Sequence, residues 1–453
     1  MSFILKPYQE KGVRWMLSME NQESGPKGGF LCDEMGLGKT VQVIATMLQN
    51  RKKRTLIIVP KSLVKQWCEE FKKFAPDVHV STYEDDTVSG EVVISSYSHM
   101  ISKNSRLHGI AWDRIVLDEA HEIRNSSTRT FKCIHTLRSE IRWIITGTPV
   151  FNSMSDFVTL CAFLGFSKTA VQCMHDKIKD IYILRRTKAD GLLELPYCHF
   201  ENVELDMFPE ERALYEVAFL EARDSINYVM RTSVSTQKRN MHILECLLRM
   251  RQIMRWPQLY MNGVAKSNNQ PPELWVHDTN KMCTLRNMVS EHPDEKSVVF
   301  CSYNGEMDHI ESMLDVETFR IDGSLDKDER HRTLERFYAS SPGSVLIVQI
   351  KCGGQGLNIQ CASRVYIMAP SWNPATELQA IGRCHRTGQT REVYVKKFVY
   401  KNTTAFNSVD LAMMSLQGHK SIICADVLND KRVEDQIPIK CEKSIDAIRK
   451  IFR

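Results

Sequence analysis

The sequence predicts an α/β protein built as two tandem lobes with parallel sheets, a helical insertion between them and a short helical C-terminal tail. Short Val- and Ile-rich runs recur without polar alternation, the mark of strands buried on both faces and hence of parallel sheets. Segments of helical period separate these runs. The pattern then lapses for some eighty residues and restarts, which divides the chain into residues 1–190 (first lobe), 191–275 (helical insertion and linker), 276–405 (second lobe) and 406–453 (helical extension).

In the first lobe the runs are TLIIVP (55–60), EVVIS (91–95), RIVLDEAH (114–121) and RWIITGTP (142–149). Leu63, Trp67, Phe71 and Phe74 fall on one stripe and predict an amphipathic helix after the first of them. The insertion shows helical period over 209–230 and 241–255, with Ile243, Leu247, Met250 and Met254 on one face and Arg249, Arg251 and Arg255 elsewhere, as in a packed helical pair. Residues 262–272, rich in Asn, Gly and Pro, suit a hinge or linker. The second lobe offers KSVVFCSY (296–303), SVLIVQI (344–350), RVYIMAP (364–370) and EVYVKKFVY (392–400). Two such lobes imply a cleft between them.

A chain of 453 residues, 43% hydrophobic, is long enough for two or three domains with their own cores. A net charge of +5, from 60 Lys and Arg against 55 Asp and Glu, is too small for a surface coated in basic groups, so any nucleic-acid contact must come from local grooves. The 14 cysteines form no CxxC pair and read as reduced, intracellular thiols. No run approaches the roughly 18 to 20 apolar residues of a membrane span, and the first ten residues lack a secretory layout, so a soluble, intracellular protein is expected.

Chemistry enters at Gly28 to Thr40, a short apolar run passing through a glycine-bearing loop into the helical segment Val41 to Leu48. A strand, such a loop and a helix N-terminus make a cradle of N–H groups for phosphate. Gly36 and Gly38 allow close backbone approach, Lys39 bridges the β- and γ-phosphates, and the Thr40 hydroxyl holds Mg²⁺. Asp33 stands where the general GxxxxGK[ST] pattern has its first glycine. Asp118 and Glu119 follow a buried run, which puts them at the carboxyl end of a parallel strand, where ligands of α/β sheets bind. There Asp118 suits Mg²⁺, and Glu119 suits orienting and deprotonating a water. His121 links this site to a neighbouring strand end and is not placed as a metal ligand. In Gln379-Ala-Ile-Gly-Arg383-Cys-His-Arg386, the spacing puts Gln379, Arg383 and Arg386 on one helix face, with both guanidinium groups pointing the same way as arginine fingers; a solvated basic helix is the competing account.

With these elements in place, the chain resembles the Swi/Snf-type branch of helicase superfamily two, the ATPase engines of chromatin remodellers and related DNA translocases. The matching motifs run in order: Leu5 to Trp15, DEMGLGKT (33–40), PKSLVKQW (60–67), DEAH (118–121), TGTP (146–149), LRRTK (184–188), FCSY (300–303), IDG (321–323), GGQGLN (353–358), SWNP (371–374) and the arginine motif. The resemblance implies two RecA-like lobes, ATP and Mg²⁺ as cofactors, and double-stranded DNA as partner, with nucleosomes or other DNA-bound proteins as targets of a monomeric motor. It implies that Gln9 reads adenine, that Asp33, Glu34, Met35, Gly36, Leu37, Gly38, Lys39, Thr40, Gly356 and Gln379 line the nucleotide, and that Lys39, Asp118, Glu119, Arg383 and Arg386 carry catalysis. It implies Lys61, Ser62, Thr146, Gly147, Thr148, Tyr303, Lys351, Asn358 and Trp372 near the DNA backbone.

Three departures stand out: Ser371 where the family has a first Trp, Trp256 in place of a histidine, and Gly382 where many members have Asp. Without paired cysteines or room for histone-reading appendages, the expectation is a bare motor, of a kind found in large DNA viruses and prokaryotes; a viral source is the leading one, with the nucleus or a viral replication compartment as location. A strand-separating helicase, a transcription-associated or RNA-directed NTPase, and a non-hydrolysing nucleotide-switched scaffold remain as alternatives.

Overall fold

The computed structural model describes residues 4–83, 89–102, 105–147, 154–190, 195–353, 357–428 and 444–452. The chain falls into two compact units that part between Glu194 and Leu195. The first holds strands β1 (Lys27–Leu31), β2 (Thr55–Val59), β3 (Val80–Thr82), β4 (Val92–Ser96), β5 (Ala111–Asp118), β6 (Arg138–Ile145) and β7 (Ile183–Leu184). The second holds β8 (Cys198–Leu205), β9 (Ser297–Cys301), β10 (Thr318–Ile321), β11 (Val345–Gln349), β12 (Arg364–Ile367) and β13 (Val393–Tyr400).

The first sheet runs β3-β4-β2-β5-β6-β1-β7, with every neighbouring pair parallel. Every residue of β2 and β4 is buried, as strands covered on both faces must be. The phosphate loop leaves β1 and the acidic pair leaves β5, so a parallel sheet brings both to the same edge with only β6 between them. The N-terminal helix Pro7–Glu20 is pinned to this sheet by one buried acid. Glu20 accepts from Arg114 Nε on β5 (2.7 Å), Trp143 Nε1 on β6 (2.9 Å) and Asn50 Nδ2 (2.6 Å).

The second sheet runs β10-β11-β9-β12-β13-β8, again all parallel. Along β9, Val298 and Phe300 join one core cluster while Val299 and Cys301 join another, the two-residue alternation of a strand with helices on both faces. Two sequence expectations are corrected here. Residues 198–205, assigned to the insertion, form the edge strand β8; their mostly half-exposed and exposed side chains gave no apolar run to read. Residues 262–268, read as linker, continue the helix Pro257–Asn268, which Asn269 ends in a left-handed conformation at φ +53°.

The insertion helices Pro209–Arg231 and Thr236–Ile253 do form a packed pair. Tyr215, Phe219, Ile243, Leu247 and Met250 share a core with Tyr400, Val409 and Met413, with Ile448 and Ile451 of the tail helix Ser444–Ile451, and with Phe452 just after it. The arginines off that stripe have jobs as well. Arg255 donates to the carbonyls of Ala369 and Pro370 (3.4 Å each) and lies 3.6 Å from Glu306, and Arg251 reaches Pro370 at 3.3 Å. Trp256, the residue found in place of a histidine, stacks on His309 with ring centroids 3.6 Å apart.

Candidate active site

In the first unit the loop after β1 turns into the helix Lys39–Gln49 through two glycines in the left-handed region, Gly36 at φ +94° and Gly38 at φ +75°. The positive φ favours glycine at this cap, and a Cβ there would come within 2.5 Å of Gln9 Nε2 and push that amide off the loop. The Lys39 ammonium donates to the carbonyl of Asp33 at 2.7 Å. Burial lowers its pKa, opposed by the charges of Glu119, Asp33 and Asp118, so the phosphate-gripping cation and the acidic pair lie within electrostatic reach of one another. Thr40 occupies the first helical turn and is half-buried.

Gln9 sits against the same loop. Its Nε2 donates to the Leu37 carbonyl (3.2 Å) and its Oε1 accepts from Lys6 N (3.0 Å), while Tyr8 OH donates to Leu37 as well (3.1 Å). The carboxylates of Asp33 and Glu34 have protein partners of their own. Asp33 is fully buried against Arg186, accepting at 2.9 Å from its Nε and also from its Nη2, and Gln42 Nε2 donates to it at 3.0 Å. Glu34 accepts from Lys188 N at 2.8 Å, with Lys188 Nζ 3.8 Å away. Met35 is half-buried and Leu37 buried.

The LRRTK segment is thus the backing of the phosphate loop, a role the sequence reading did not assign. Cys32 N and Glu34 N donate to the Leu184 and Arg186 carbonyls (2.8 Å each), and Arg185 Nη1 bridges the carbonyls of Cys32 (2.7 Å) and Gly147 (3.0 Å). Its signal in the sequence was its place in the motif series, with two adjacent arginines after a short apolar stretch.

At the end of β5, Asp118 is 9% exposed. Trp67 Nε1 donates to its Oδ2 (2.8 Å), Glu119 N to its Oδ1 (2.9 Å) and Tyr97 OH to its carbonyl (2.8 Å). Desolvation, then the charge of Glu119, push its carboxyl pKa up to about 6. Glu119 takes φ +50°, an uncommon conformation for a side-chain-bearing residue. His121 Nδ1 lies 3.3 Å from Glu119 Oε2, so His121 abuts the acidic pair itself. The residues fit Mg²⁺. Each Asp118 oxygen accepts one N–H and so keeps a lone pair, and no cluster of three or more His, Cys, Asp or Glu is present among the described residues. A hard cation held by one carboxylate, a threonine hydroxyl, phosphate oxygens and water is the usual arrangement for Mg²⁺.

In the second unit one expectation is corrected. The helix Pro374–Ile381 stops before the arginines, and residues 382–388 form successive turns, so Gln379, Arg383 and Arg386 do not share a helix face. Gly382 N, Arg383 N and Cys384 N close the helix end, and Gly388 at φ +102° completes the reversal. Gln389, the last residue of the arginine motif and one to which the sequence assigned no role, holds this turn: its Nε2 donates to the carbonyls of Gln360 (2.9 Å), Ala362 and Cys384 (3.1 Å each), and its Oε1 accepts from Thr390 N (2.9 Å) and Arg391 N (3.0 Å). Arg383 is buried, while Arg386 and Gln379 are half-buried. Gly356 lies outside the described residues.

The expected nucleic-acid residues differ in exposure. Lys61, Lys351 and Asn358 are exposed, and Ser62 and Gly147 half-buried. Thr146 is 1% exposed, held by its N–H on the Leu31 carbonyl, so it is a core position rather than a surface one; Thr148 lies outside the described residues. Tyr303 caps the helix Asn304–Met313, its N–H donating to Glu306. Trp372 packs half-buried against the insertion core, and Ser371 beside it is buried, its N–H donating to Glu377 (2.6 Å).

Residues 8–259 match the model of the SNF2-related domain, and residues 280–388 match the helicase conserved C-terminal domain. The ISWI chromatin-remodeling complex ATPase ISW2 of Saccharomyces cerevisiae is 28% identical over 92% of this chain and 41% of its own length. A putative ATP-dependent helicase/translocase, YwqA, of Bacillus subtilis is 30% identical over 95% of this chain and 49% of its own. The solved Sulfolobus solfataricus SWI2/SNF2 ATPase core in complex with dsDNA is 27% identical, with a TM-score of 0.43, all of this chain and 97% of that chain being covered. The chain therefore spans between two-fifths and half the length of these curated relatives. It belongs to the SNF2-related, helicase-like ATPase family.

Proposed function

We propose that this chain hydrolyses ATP with Mg²⁺ and uses the cycle to translocate on double-stranded DNA, remodelling or displacing nucleosomes or other DNA-bound proteins. The observation that carries the reading is the meeting, at one edge of the first sheet, of a phosphate-loop lysine with an acidic pair whose charges act on it. That is the minimal equipment for in-line phosphoryl transfer. The family membership, shared with a chromatin-remodelling ATPase and a putative translocase, supports duplex DNA as the track.

In this mechanism Lys39 neutralises charge on the β- and γ-oxygens, and Thr40 and Asp118 hold the metal. Mg²⁺ held by these two residues would supply further neutralisation of the phosphate charge. Glu119 orients the attacking water and accepts its proton as the new P–O bond forms. Arg383 and Arg386 supply positive charge to the transferring phosphoryl group, as arginine fingers do. The exposed Lys61, Lys351 and Asn358 are the strongest of the expected contacts to the sugar-phosphate path, so binding is sequence-tolerant and weakens with salt.

The test is phosphate release measured with duplex DNA, single-stranded DNA and RNA, beside displacement of a third strand from a triplex. Duplex stimulation together with triplex displacement is expected. A preference for either single-stranded ligand would favour a strand-separating or RNA-directed enzyme, and no release with any of them would favour a nucleotide-switched scaffold.

A further inference from the structure

The helix Val64–Phe74 presents Trp67 to the core, where the ring lies 6.3 Å from Phe71 and is 1% exposed. Packing alone accounts for a large apolar ring at that position. It does not account for the acceptor. A buried indole N–H needs one partner, and here that partner is Oδ2 of Asp118, at 2.8 Å, rather than a main-chain carbonyl. The other carboxylate oxygen is fixed at 2.9 Å by Glu119 N, and the Asp118 carbonyl receives the Tyr97 hydroxyl at 2.8 Å. Two oxygens held by two donors from different segments define the plane of the carboxylate and hence the direction of its remaining lone pairs.

We infer that Trp67 is a positioning residue for the metal site, its indole N–H setting the orientation in which Asp118 meets Mg²⁺. This rests on the proposal that Asp118 holds the metal. Tyr97 restrains the backbone of the same residue, and the pair of aromatic donors, one following β2 and the other β4, brackets the strand end from the side away from β6. Groups that orient a metal ligand typically alter metal affinity by about 10–100-fold when removed, without touching the metal themselves.

The experiment uses the full-length chain in three forms: Trp67→Phe, Asp118→Asn, and a chain carrying 3-benzothienylalanine at position 67, which keeps the bicyclic shape and replaces N–H with sulfur. Binding of a methylanthraniloyl-labelled ADP is followed by fluorescence while Mg²⁺ is titrated, and again with the metal chelated. For both position-67 variants the Mg²⁺ concentration for half-maximal binding should rise by about tenfold or more, with metal-free ADP affinity held within about twofold. If the benzothienylalanine chain responds to Mg²⁺ like the wild type, the N–H has no such role and the proposal is overturned, whatever Trp67→Phe does. Equal losses with and without metal would likewise overturn it, since a packing defect would weaken both. Asp118→Asn separates the two levels: if it keeps the wild-type Mg²⁺ response, the metal assignment itself falls and takes this inference with it, whereas its expected loss leaves a wild-type benzothienylalanine result counting against Trp67 alone.

Discussion

Asp118 shows how a residue legible in the sequence acquires properties that only the fold supplies. Its place after a buried strand was readable, but the burial and the neighbouring Glu119 that push its pKa up to about 6 come from packing. Because the ionised form is the one that binds metal, the acid limb of kcat/KM should fall as pH drops through about 6, well above the range of an ordinary carboxylate. The same shift bears on stability. The folded state holds the proton more tightly than the unfolded chain does, so stability is lost as pH rises from the unfolded pKa towards 6 and stays lost above it. Asp118→Asn should therefore abolish Mg²⁺-dependent hydrolysis and remove the part of the stability change between about pH 4 and about pH 7 that this carboxyl contributes, while its amide nitrogen leaves one of the two N–H donors without an acceptor. Thermal unfolding at the two pH values checks it. Asp33 presents the opposite case. Its carboxylate is fully buried and paired with Arg186, so Arg186→Ala strands a charge in the core and should cost about 3–5 kcal/mol, seen as a drop in denaturation midpoint and in nucleotide affinity together. Neither Arg186 nor Trp67 could be tied to these acids from the sequence. The contacts span 153 and 51 residues, and a pairing between distant segments leaves no periodicity behind.

Among elements, the buried parallel strands were legible because each is a short unbroken apolar run. The edge strand β8 was not, because half of its side chains face solvent and its composition is that of a loop. The helix Pro257–Asn268 was obscured by Asn and Gly, residues that read as punctuation although tertiary contacts overrode them here; Arg249 lies against Gly263. The arginine motif was found and its local geometry misread. Spacings of four and three fit a helix, but Gly382 closes the helix Pro374–Ile381 one residue after its end, and the arginines ride on turns instead. Those turns depend on Gln389, whose amide makes five hydrogen bonds. Gln389→Ala should loosen them and lower kcat by about tenfold or more, with little change in the nucleotide affinity conferred by the first lobe; steady-state kinetics beside labelled-ADP binding separates the two.

For the whole molecule, the two-lobe plan is readable because the strand pattern stops and restarts, and the family is legible because its motifs recur in order along the chain. The proposed catalytic groups divide in the same way: Lys39, Asp118 and Glu119 belong to the first unit, Arg383 and Arg386 to the second. Family membership supports ATP hydrolysis, and the first unit brings together the lysine and the acidic pair proposed to carry it. The most direct measurement is phosphate release with and without duplex DNA for the wild type and Glu119→Gln, with labelled-ADP binding as the control for folding. Duplex DNA should accelerate the wild type, and Glu119→Gln should bind nucleotide normally yet lose about 10²–10⁴-fold in the stimulated rate. Stimulated release by Glu119→Gln at the wild-type rate would contradict the account.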